Sequence, residues 1–321
     1  MNYIVLDLEW NQCPDGKEKE NKELPFEIIE IGAVKLDDNY KKISEFSELI
    51  KPSVYKEIHY KTKEVIHLDI TKLREGRSFL EVCQSFFDWC GEDYLFATWG
   101  NMDLTELQRN MKYYRMKHKF EYPLEYCDVQ KLYGLYFEKS KERRTLEYAV
   151  EQLNIERKKE FHKALFDAEY TGKILSLISQ NFVMKNKSID YYTPPANREE
   201  EVYLKYENYN KYVSREFPSK EEAMLDREVI STRCKYCNKN LKRKIRWFSI
   251  NSRIYYALGY CAEHGYMKCK IRMKKSEKEK YFVVKTIKHI SEEESFLIGD
   301  KRDELRVKRR VKRKLKKENT I

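Results

Sequence analysis

The sequence predicts an α/β protein in its first half, followed by a small metal-binding module and a basic tail. Three observations lead to this prediction. Strand-like and helix-like patterns alternate over residues 1–180, which is typical of α/β folds. Four of the eight cysteines lie close together in the second half of the chain. The net charge of +11 is also divided unevenly, because residues 1–180 carry 28 Lys+Arg against 33 Asp+Glu, whereas residues 181–321 carry 36 against 20.

The first 180 residues contain the strands and helices of the predicted α/β domain. A short apolar stretch over residues 3–9 predicts the first strand, and a loop with proline, glycine and many charges follows at 11–26. Further strands are predicted at 27–36, 42–50 and 94–99, and another element begins near residue 126. The helical spacing of apolar residues predicts helices at 78–90, 103–118, 145–153 and 162–179.

Residues 181–321 differ in composition and are divided into three parts. Residues 181–228 are charged and rich in tyrosine, which predicts a mainly helical connector. Residues 229–275 hold the clustered cysteines, and residues 276–321 form a basic segment with nine Lys/Arg among the twelve residues 306–317. A basic half favours a polyanionic partner such as nucleic acid, although a lysine-rich composition can also serve solubility alone.

Composition also bears on where the protein works. No segment has about 18 consecutive apolar residues, so we expect neither a membrane span nor a membrane partner. The N-terminus lacks the basic region and the cleavage site of a secretory signal. Clustered cysteines in such a protein indicate metal binding before disulfides. Together these features predict a cytoplasmic protein.

Two acidic residues in the first strand could bind a divalent cation. Asp7 and Glu9 are two residues apart, so their side chains leave the same face of the strand. Two neighbouring carboxylates repel each other unless a cation lies between them, and Mg²⁺ or Mn²⁺ prefers such oxygen ligands. The alternative is a half-exposed strand whose polar face is in water.

Three further residues could complete this site. Asp103 follows a buried strand at the predicted start of a helix, where a carboxylate can also serve as an N-cap. His162 and Asp167 lie on the last predicted helix, and His162 could instead be a solvated surface residue. Hydrolysis of a phosphodiester needs charge neutralisation and a base for the attacking water, and carboxylate-bound metals with an imidazole meet both needs. The set therefore predicts an enzyme that cuts nucleic acid.

The same residues lie in three motifs that resemble those of the DEDDh 3′→5′ exonucleases, the DnaQ-like group that includes RNase T and proofreading subunits. The matching stretches are Asp7-Leu-Glu9 followed by residues 27–34, Trp99-Gly-Asn-Met-Asp103, and His162-Lys-Ala-Leu-Phe-Asp167. The resemblance covers residues 1–180 and is closest in texture to the KapD and RNA-trimming branches of the family.

This resemblance implies an RNase H-like fold with a five-stranded mixed sheet flanked by helices. It also implies that two Mg²⁺ or Mn²⁺ ions are held by Asp7, Glu9, Asp103 and Asp167. His162 would accept a proton from the attacking water, and a nucleoside 5′-monophosphate would leave the 3′ end of RNA or single-stranded DNA. The alternative function is a catalytically weak nucleic-acid-binding or regulatory protein that uses the same fold as a scaffold.

Further residues near these motifs are candidates for substrate binding. Many relatives carry Thr after the Asp-x-Glu pair, where this chain has Trp10 and Asn11. Trp10 could stack on a base or could belong to the core. Ile66 and His67 could contact the terminal nucleotide, and His67 could equally be a surface histidine.

The clustered cysteines form two pairs with the spacing of a structural zinc site, Cys234-Lys-Tyr-Cys237 and Cys261-Ala-Glu-His264. Zinc bound by all four residues would fold the module without taking part in catalysis. Cys269 could replace His264 as the fourth ligand. The cysteines could instead be unliganded thiols, or Cys234 and Cys237 could be a redox pair.

Cations and aromatic residues are interleaved around this module. Arg246 and Trp247 are the candidates for phosphate contact and base stacking. Ordinary hairpin packing with a solvated charged face is the alternative. The basic stretch 306–317 is expected to stay solvated until it meets a polyanion such as RNA.

Overall fold

The structure, a computed structural model, describes residues 1–65, 70–118, 120–157 and 160–318, and at residues 65, 70–72 and 313–318 it describes the backbone alone. The chain divides into two compact units, Met1–Asp190 and Tyr191–Ile321. The prediction placed this boundary at residue 180. The first unit extends further because a short strand, Ser188–Ile189, joins its sheet.

The first unit is built on a mixed β-sheet. Its strands are β1 (Asn2–Gln12), β2 (Phe26–Leu36), β3 (Lys42–Leu49), β4 (Tyr94–Thr98), β5 (Glu125–Asp128) and β6 (Ser188–Ile189), in the order β3-β2-β1-β4-β5-β6. Strand β4 runs parallel to β1, and β5 runs parallel to β4, while the other pairs are antiparallel. The predicted α/β class is confirmed. Among the described residues this sheet has six strands, whereas five were predicted. The prediction missed β6, because two residues are too short to give a recognisable sequence pattern.

Helices cover both faces of this sheet. They are α1 (Tyr60–Val65), α2 (Ile70–Glu75), α3 (Phe79–Cys90), α4 (Met102–Tyr113), α5 (Val129–Tyr136), α6 (Leu146–Gln152), α7 (Ala164–Ser176) and α8 (Gln180–Lys185). One face of the sheet packs against α5, α6, α7 and α8. The other face packs against α3 and α4. Burial on both sides explains why β1 and β2 consist mainly of apolar residues.

Two helices differ from the predicted ones in where they end or begin. Helix α4 ends at Tyr113 rather than at residue 118, and Arg115 just beyond it has a φ of 56°. Helix α7 begins at Ala164 rather than at His162, whose φ is 66°. A residue with such a positive φ cannot continue a right-handed helix. A pattern of apolar residues does not report this backbone conformation, so the prediction extended both helices too far.

A glycine is required where α7 meets the sheet. A Cβ atom on Gly32 would lie 2.0 Å from the backbone nitrogen of Leu165 and 2.1 Å from the carbonyl carbon of Ala164. Only a residue without a side chain lets the first turn of α7 lie this close to β2. Gly32 is also the register partner of Asp7 on β1. The close approach therefore brings the start of α7 to the strand position where Asp7 lies.

The second unit is built on an antiparallel sheet of its own. Its strands are β7 (Val202–Lys205), β8 (Asn210–Val213), β9 (Lys242–Ser249), β10 (Ile254–Cys261), β11 (Gly265–Lys275) and β12 (Tyr281–His289), in the order β7-β8-β12-β11-β10-β9. Its helices are α9 (Lys220–Leu225), α10 (Arg227–Ile230) and α11 (Glu292–Glu318). None of the helices in the described ranges is both long and apolar enough to cross a membrane.

This arrangement differs from the predicted division of the second half. Strands β7 and β8 lie within residues 181–228, which were predicted to form a mainly helical connector, and β12 lies within residues 276–321. One sheet therefore joins all three predicted parts. The four-residue strands β7 and β8 are too short to show a clear alternating pattern. The basic stretch 306–317 belongs to helix α11, and its described side chains, at 306–312, are exposed to solvent.

Candidate functional site

Strand β1 carries the first two acidic residues of the predicted site. Asp7 and Glu9 lie on one face of the strand, with Gly32 and Glu30 of β2 as their register partners. Leu8 points to the opposite face, where it is buried against the core that includes α3 and α4. The alternation places both carboxylates on the face covered by α7.

Asp103 reaches the same strand from α4. Its Oδ1 atom accepts a hydrogen bond from the backbone N–H of Leu8, with 3.2 Å between oxygen and nitrogen. The N-cap residue of α4 is Asn101, so Asp103 does not cap the helix as the alternative interpretation required. The hydrogen bond instead ties the first turn of α4 to β1 between Asp7 and Glu9. The carboxylate is thereby fixed next to the two acidic residues of the strand.

His162 and Asp167 come from the start of α7. Asp167 lies in the first turn of the helix, and its Oδ2 atom accepts a hydrogen bond of 3.0 Å from the backbone N–H of His162. The side chain of His162 is 46% exposed, and its Nε2 atom lies 3.8 Å from Oε1 of Glu147 on α6. His162 was predicted to lie on the helix, but it belongs to the preceding loop. That position leaves its imidazole open to water beside a buried carboxylate.

The structure brings these residues together although they are distant in the sequence. Ligand atoms of Glu9, His162 and Asp167 all lie within 4.8 Å of one another. The carboxylate of Asp7 is close enough to those of Asp103, Glu9 and Asp167 for their charges to raise its pKa. We call the set the acidic centre; it consists of Asp7, Glu9, Asp103, His162 and Asp167. It lies within β1, just beyond the point where the parallel strand β4 ends.

The carboxylates of the acidic centre have raised pKa values. Burial is the largest cause at each residue, and repulsion from neighbouring carboxylates adds to it. The pKa of Glu9 rises to about 8, those of Asp103 and Asp167 rise to about 7, and that of Asp7 rises well above its ordinary value. The buried Oδ1 atom of Asp167 accepts no hydrogen bond from any described residue. Crowded carboxylates with a vacant oxygen fit divalent cations, which would neutralise them.

A fifth buried carboxylate beside this centre was not singled out from the sequence. Glu30 of β2 is only 5% exposed and is the register partner of Glu9. It accepts a hydrogen bond from the backbone N–H of Ala164, the first residue of α7, and burial raises its pKa. The N-cap residue of α7, Lys163, makes no side-chain capping bond, so Glu30 supplies an acceptor from the neighbouring strand. The signal in the sequence was a charged residue on the buried face of an apolar strand.

The residues after the Asp-x-Glu pair have structural roles. Trp10 is partly buried and packs against the core, with its ring centroid 5.7 Å from that of Phe26. This favours the core interpretation of Trp10 over base stacking. The amide of Asn11 is fully buried and donates to the carbonyl oxygens of Tyr55 and Glu57 at 3.0 and 2.9 Å. Asn11 therefore holds the segment that leads into α1.

The two remaining candidates for nucleotide contact in the first unit cannot be placed. Ile66 and His67 lie outside the described residues. Their proposed contacts with the terminal nucleotide stay predictions from the family resemblance.

The predicted zinc ligands also converge, and we call them the cysteine cluster: Cys234, Cys237, Cys261 and His264. Sγ of Cys237 lies 3.7 Å from Sγ of Cys261. Nδ1 of His264 lies 3.5 Å from Sγ of Cys261 and 3.6 Å from Sγ of Cys234. A tetrahedral zinc site with Zn–S bonds of about 2.3 Å and Zn–N bonds of about 2.0 Å has edges of about 3.5 to 3.8 Å. The observed distances fit that tetrahedron.

Two tight turns position this cluster. Cys234 and Cys237 lie on a turn in which the backbone N–H of Asn238 donates to the carbonyl of Cys234. Cys261 ends β10 and pairs with Gly265, which begins β11. A hydrogen bond with the imidazole of His264 is the largest cause of a lowered pKa at Cys261, about 6, which favours a thiolate.

Cys269 does not belong to the cysteine cluster. Its side chain is fully buried in the core of the second unit, and burial raises its pKa to about 12. The ligand atoms that lie within 4.8 Å of one another include a ring nitrogen of His264 but not the sulfur of Cys269. The structure therefore favours His264 as the fourth member. All eight cysteines are free thiols, so Cys234 and Cys237 do not form a disulfide.

The aromatic candidate in the second unit is part of the core. Trp247 packs among buried residues of the sheet, and its indole N–H donates to the carbonyl of Ile230 at 2.9 Å. This packing favours the core interpretation of Trp247 over base stacking, which stays a prediction. Arg246, by contrast, is exposed on β9, the edge strand of the sheet.

Comparison with known proteins agrees with the geometry of the acidic centre. The profile of the RNase T exonuclease family matches residues 4–175, which is more than half of the chain. The chain belongs to this exonuclease family. As a member of the RNase T exonuclease family it is a nuclease, which confirms both the family and the enzyme class predicted from the three motifs.

Individual relatives of this RNase T family member can be named. The probable 3′-5′ exonuclease KapD of Bacillus subtilis (strain 168) is 28% identical over 185 residues, which cover 56% of this chain and 85% of KapD. The solved nuclease domain of 3′hExo, a DEDDh family member bound to rAMP, aligns with a TM-score of 0.50 and 18% identity, over 59% of this chain and 96% of that one. At 18% identity, the match to the 3′hExo nuclease domain shows a shared fold alone. The family match ends at residue 175, so it does not extend into the second unit.

Proposed function

We propose that this protein is a 3′→5′ exonuclease that releases nucleoside 5′-monophosphates from nucleic acid by a two-metal mechanism. The observation that carries the proposal is the acidic centre, where carboxylates from β1, α4 and α7 meet beside an exposed imidazole. Family membership supports hydrolysis of a phosphodiester. The name of the relative KapD supports the 3′→5′ direction.

Four residues would hold the two Mg²⁺ or Mn²⁺ ions: Asp7, Glu9, Asp103 and Asp167. When bound, the ions would neutralise the scissile phosphate and lower the pKa of the attacking water. The protein would contribute the fixed positions of its carboxylates, which come from the hydrogen bond between Leu8 and Asp103 and from that between His162 and Asp167. Positions fixed before the substrate binds cost little reorganisation during the reaction.

His162 would act as the general base. Its imidazole is exposed next to Glu9 and Asp167, so it can reach a water at the acidic centre. The carboxylate of Glu147, 3.8 Å from Nε2, would stabilise the imidazolium that forms when the proton is taken up. His162 would then release this proton to solvent before the next cycle.

The substrate we propose is RNA or single-stranded DNA. The nuclease domain of 3′hExo is bound to rAMP, which supports a site of this fold that accepts a nucleotide. The strongly basic second half of the chain supports a polyanionic partner.

Degradation of 3′-labelled single-stranded RNA and DNA of equal sequence tests the proposal. With Mn²⁺ present, the wild type should release labelled 5′-mononucleotides, and Asp7→Ala should release almost none. The matched control is Glu92→Ala, which removes an exposed carboxylate from the loop before β4. If Asp7→Ala degrades both oligonucleotides as fast as Glu92→Ala does, the acidic centre is not the active site and the proposed mechanism is refuted. If the wild type releases no labelled nucleotide from either oligonucleotide, the non-catalytic scaffold is favoured. The ratio of the RNA and DNA rates identifies the preferred sugar.

We also propose that the cysteine cluster binds one structural Zn²⁺. All four positions of the tetrahedron would be filled by protein atoms, which leaves no position for a substrate or a reacting water. Thiolate ligands require reduced cysteines, and the eight free thiols suit a reducing compartment. A cytoplasmic location is therefore part of the proposal.

A further inference from the structure

The second unit presents a group of exposed cations on two neighbouring elements, β9 and the second half of α11. We call this group the basic ridge; it consists of Lys242, Arg243, Arg246, Lys308, Arg310 and Lys312. All six side chains are exposed. Within the described ranges of the chain, none of the six forms an ion pair. Other cations of this unit do have acidic partners, as Lys239 has Glu263.

The two elements of the basic ridge run side by side. Ile298 near the start of α11 packs in one cluster with Ile245 of β9. Further along, the guanidinium of Arg309 donates to Oγ of Ser249, the last residue of β9, at 2.8 Å. The helix covers about 16 Å from Ile298 to Arg309, and the strand covers about 13 Å from Ile245 to Ser249. Because the two lengths are similar, the helix follows the strand in the same direction.

The aromatic residues near the basic ridge are engaged in contacts within the protein. Trp247 is partly buried and packs against the core, and the rings of Tyr256 and Tyr260 lie under the ammonium groups of Lys268 and Lys244 at 4.7 and 5.3 Å. No aromatic residue of β9 or β10, both of which are described in full, is exposed. Phe296 is exposed on α11, but it lies in the acidic first turns next to Glu294.

We propose that the basic ridge binds the phosphate backbone of a nucleic acid without stacking on its bases. The proposal rests on the proposed function and adds to it how the second unit holds the substrate. Unpaired cations attract phosphates irrespective of base identity, whereas binding of single strands through their bases requires free aromatic faces. The basic ridge has unpaired cations, and no aromatic residue of β9 or β10 is exposed beside them.

Anisotropy measurements with labelled oligonucleotides test this without added Mg²⁺ or Mn²⁺, so that binding is separated from hydrolysis. The ridge variant is the triple substitution Arg246→Gln, Lys308→Gln and Arg310→Gln. The control variant, with the same change in net charge, is Lys275→Gln, Lys278→Gln and Lys280→Gln in the hairpin between β11 and β12. Two of these control cations already have acidic partners, Glu279 and Glu216. Thermal melting checks that both variants remain folded.

The ridge variant should bind all oligonucleotides more weakly, and the slope of log K against log salt concentration should decrease by about 2 for a single strand. The control should retain most of the wild-type slope. Wild-type affinities for adenine, uracil and cytosine homopolymers of one length should agree within about threefold, because contacts to phosphate carry no base information. Arg246→Lys should bind like the wild type.

Three results would overturn the inference. Equal slopes for the ridge and control variants would mean that only the net charge matters. A strong preference for one homopolymer, or a loss of binding in Arg246→Lys, would mean that bases are contacted directly. If the ridge behaves as expected but Asp7→Ala still degrades RNA, the exonuclease proposal fails and the phosphate-binding surface remains.

Discussion

Each unit of this protein has, among its described residues, a cluster of side chains that could hold metal ions, and the two clusters differ in how their members interact. In the acidic centre the carboxylates repel each other, and burial raises their pKa values further. In the cysteine cluster the side chains are already hydrogen-bonded to one another at 3.5 to 3.7 Å. The first arrangement is unfavourable without cations, whereas the second is a closed set that resembles a filled coordination shell.

This difference separates a site for chemistry from a site for folding. Carboxylates that repel each other favour the binding of cations, and the bound cations can then neutralise a substrate phosphate. An exposed imidazole beside them gives water access. The cysteine cluster offers no open position, so its metal would contribute to stability alone. The following predictions test this contrast, beginning with the largest effect.

Loss of zinc should unfold the second unit. Cys234→Ser removes one ligand, and zinc-coupled folding of small modules is worth on the order of 10 kcal/mol. We expect the zinc content to fall from one ion per chain to nearly none, together with loss of the thermal transition of this unit. Cys269→Ser is the control, because it alters a buried thiol outside the cluster and should keep its zinc. Equal zinc contents in the two variants would contradict the assigned ligand set.

Removal of one charge from the acidic centre should abolish activity but leave the fold intact. Asp167→Asn keeps an oxygen that can accept the hydrogen bond from the His162 N–H but loses the negative charge. We expect kcat to fall by about a thousandfold, since charge neutralisation at the phosphate depends on this ligand. Asp88→Asn, an exposed change on α3, is the control and should keep wild-type kcat. Similar turnover in both variants would mean that Asp167 holds no ion.

The first unit should become less stable as the pH rises, because its folded carboxylates have raised pKa values. Without divalent ions, the folded carboxylates keep their protons up to pH 7 or 8, whereas those of the unfolded chain lose them near pH 4. Their contribution to stability is complete below about pH 4 and is lost as the pH rises through about 7 to 8. The melting temperature should therefore fall between pH 5 and pH 8 in metal-free buffer.

Mn²⁺ should raise the melting temperature by several degrees at pH 8 and by less at pH 5, because protons compete with the ion for the same oxygens. Asp7→Asn removes one buried charge, so in metal-free buffer at pH 8 it should be more stable than the wild type by about 1 to 2 kcal/mol. Scanning calorimetry at the two pH values measures both quantities. An Asp7→Asn variant that is less stable than the wild type at pH 8 would show that repulsion in the acidic centre is not significant.

The acidic centre could be predicted from the sequence because it depends on the types of its residues and on the two-residue repeat of a strand. Asp7 and Glu9 on one face of β1 follow directly from a spacing of two residues. The conformation of His162 could not be predicted, since the pattern of apolar residues does not report a positive φ just before the helix. The six-stranded sheet of the second unit also depends on pairing between distant segments, and the short strands β7 and β8 give no local signal of it.

The role of Glu30 also could not be predicted from the sequence. Its charge in an apolar strand was visible in the sequence, but its partner is the backbone N–H of Ala164, more than a hundred residues away. Only the fold shows that the carboxylate holds the first turn of α7. Because α7 carries Asp167, the position of that carboxylate depends on Glu30.

Substitutions of Glu30 should therefore have the smallest effect of the series and should separate hydrogen bonding from charge. Glu30→Gln keeps an acceptor for the Ala164 N–H, whereas Glu30→Ala leaves that buried N–H unpaired. We expect kcat to fall by about 10- to 100-fold in Glu30→Ala, as for other residues that orient metal ligands, and by less than about threefold in Glu30→Gln. KM should stay nearly constant in both, since Glu30 is buried and only 5% exposed. If both substitutions lower kcat equally, the negative charge of Glu30 matters and the acidic centre has a fifth functional carboxylate.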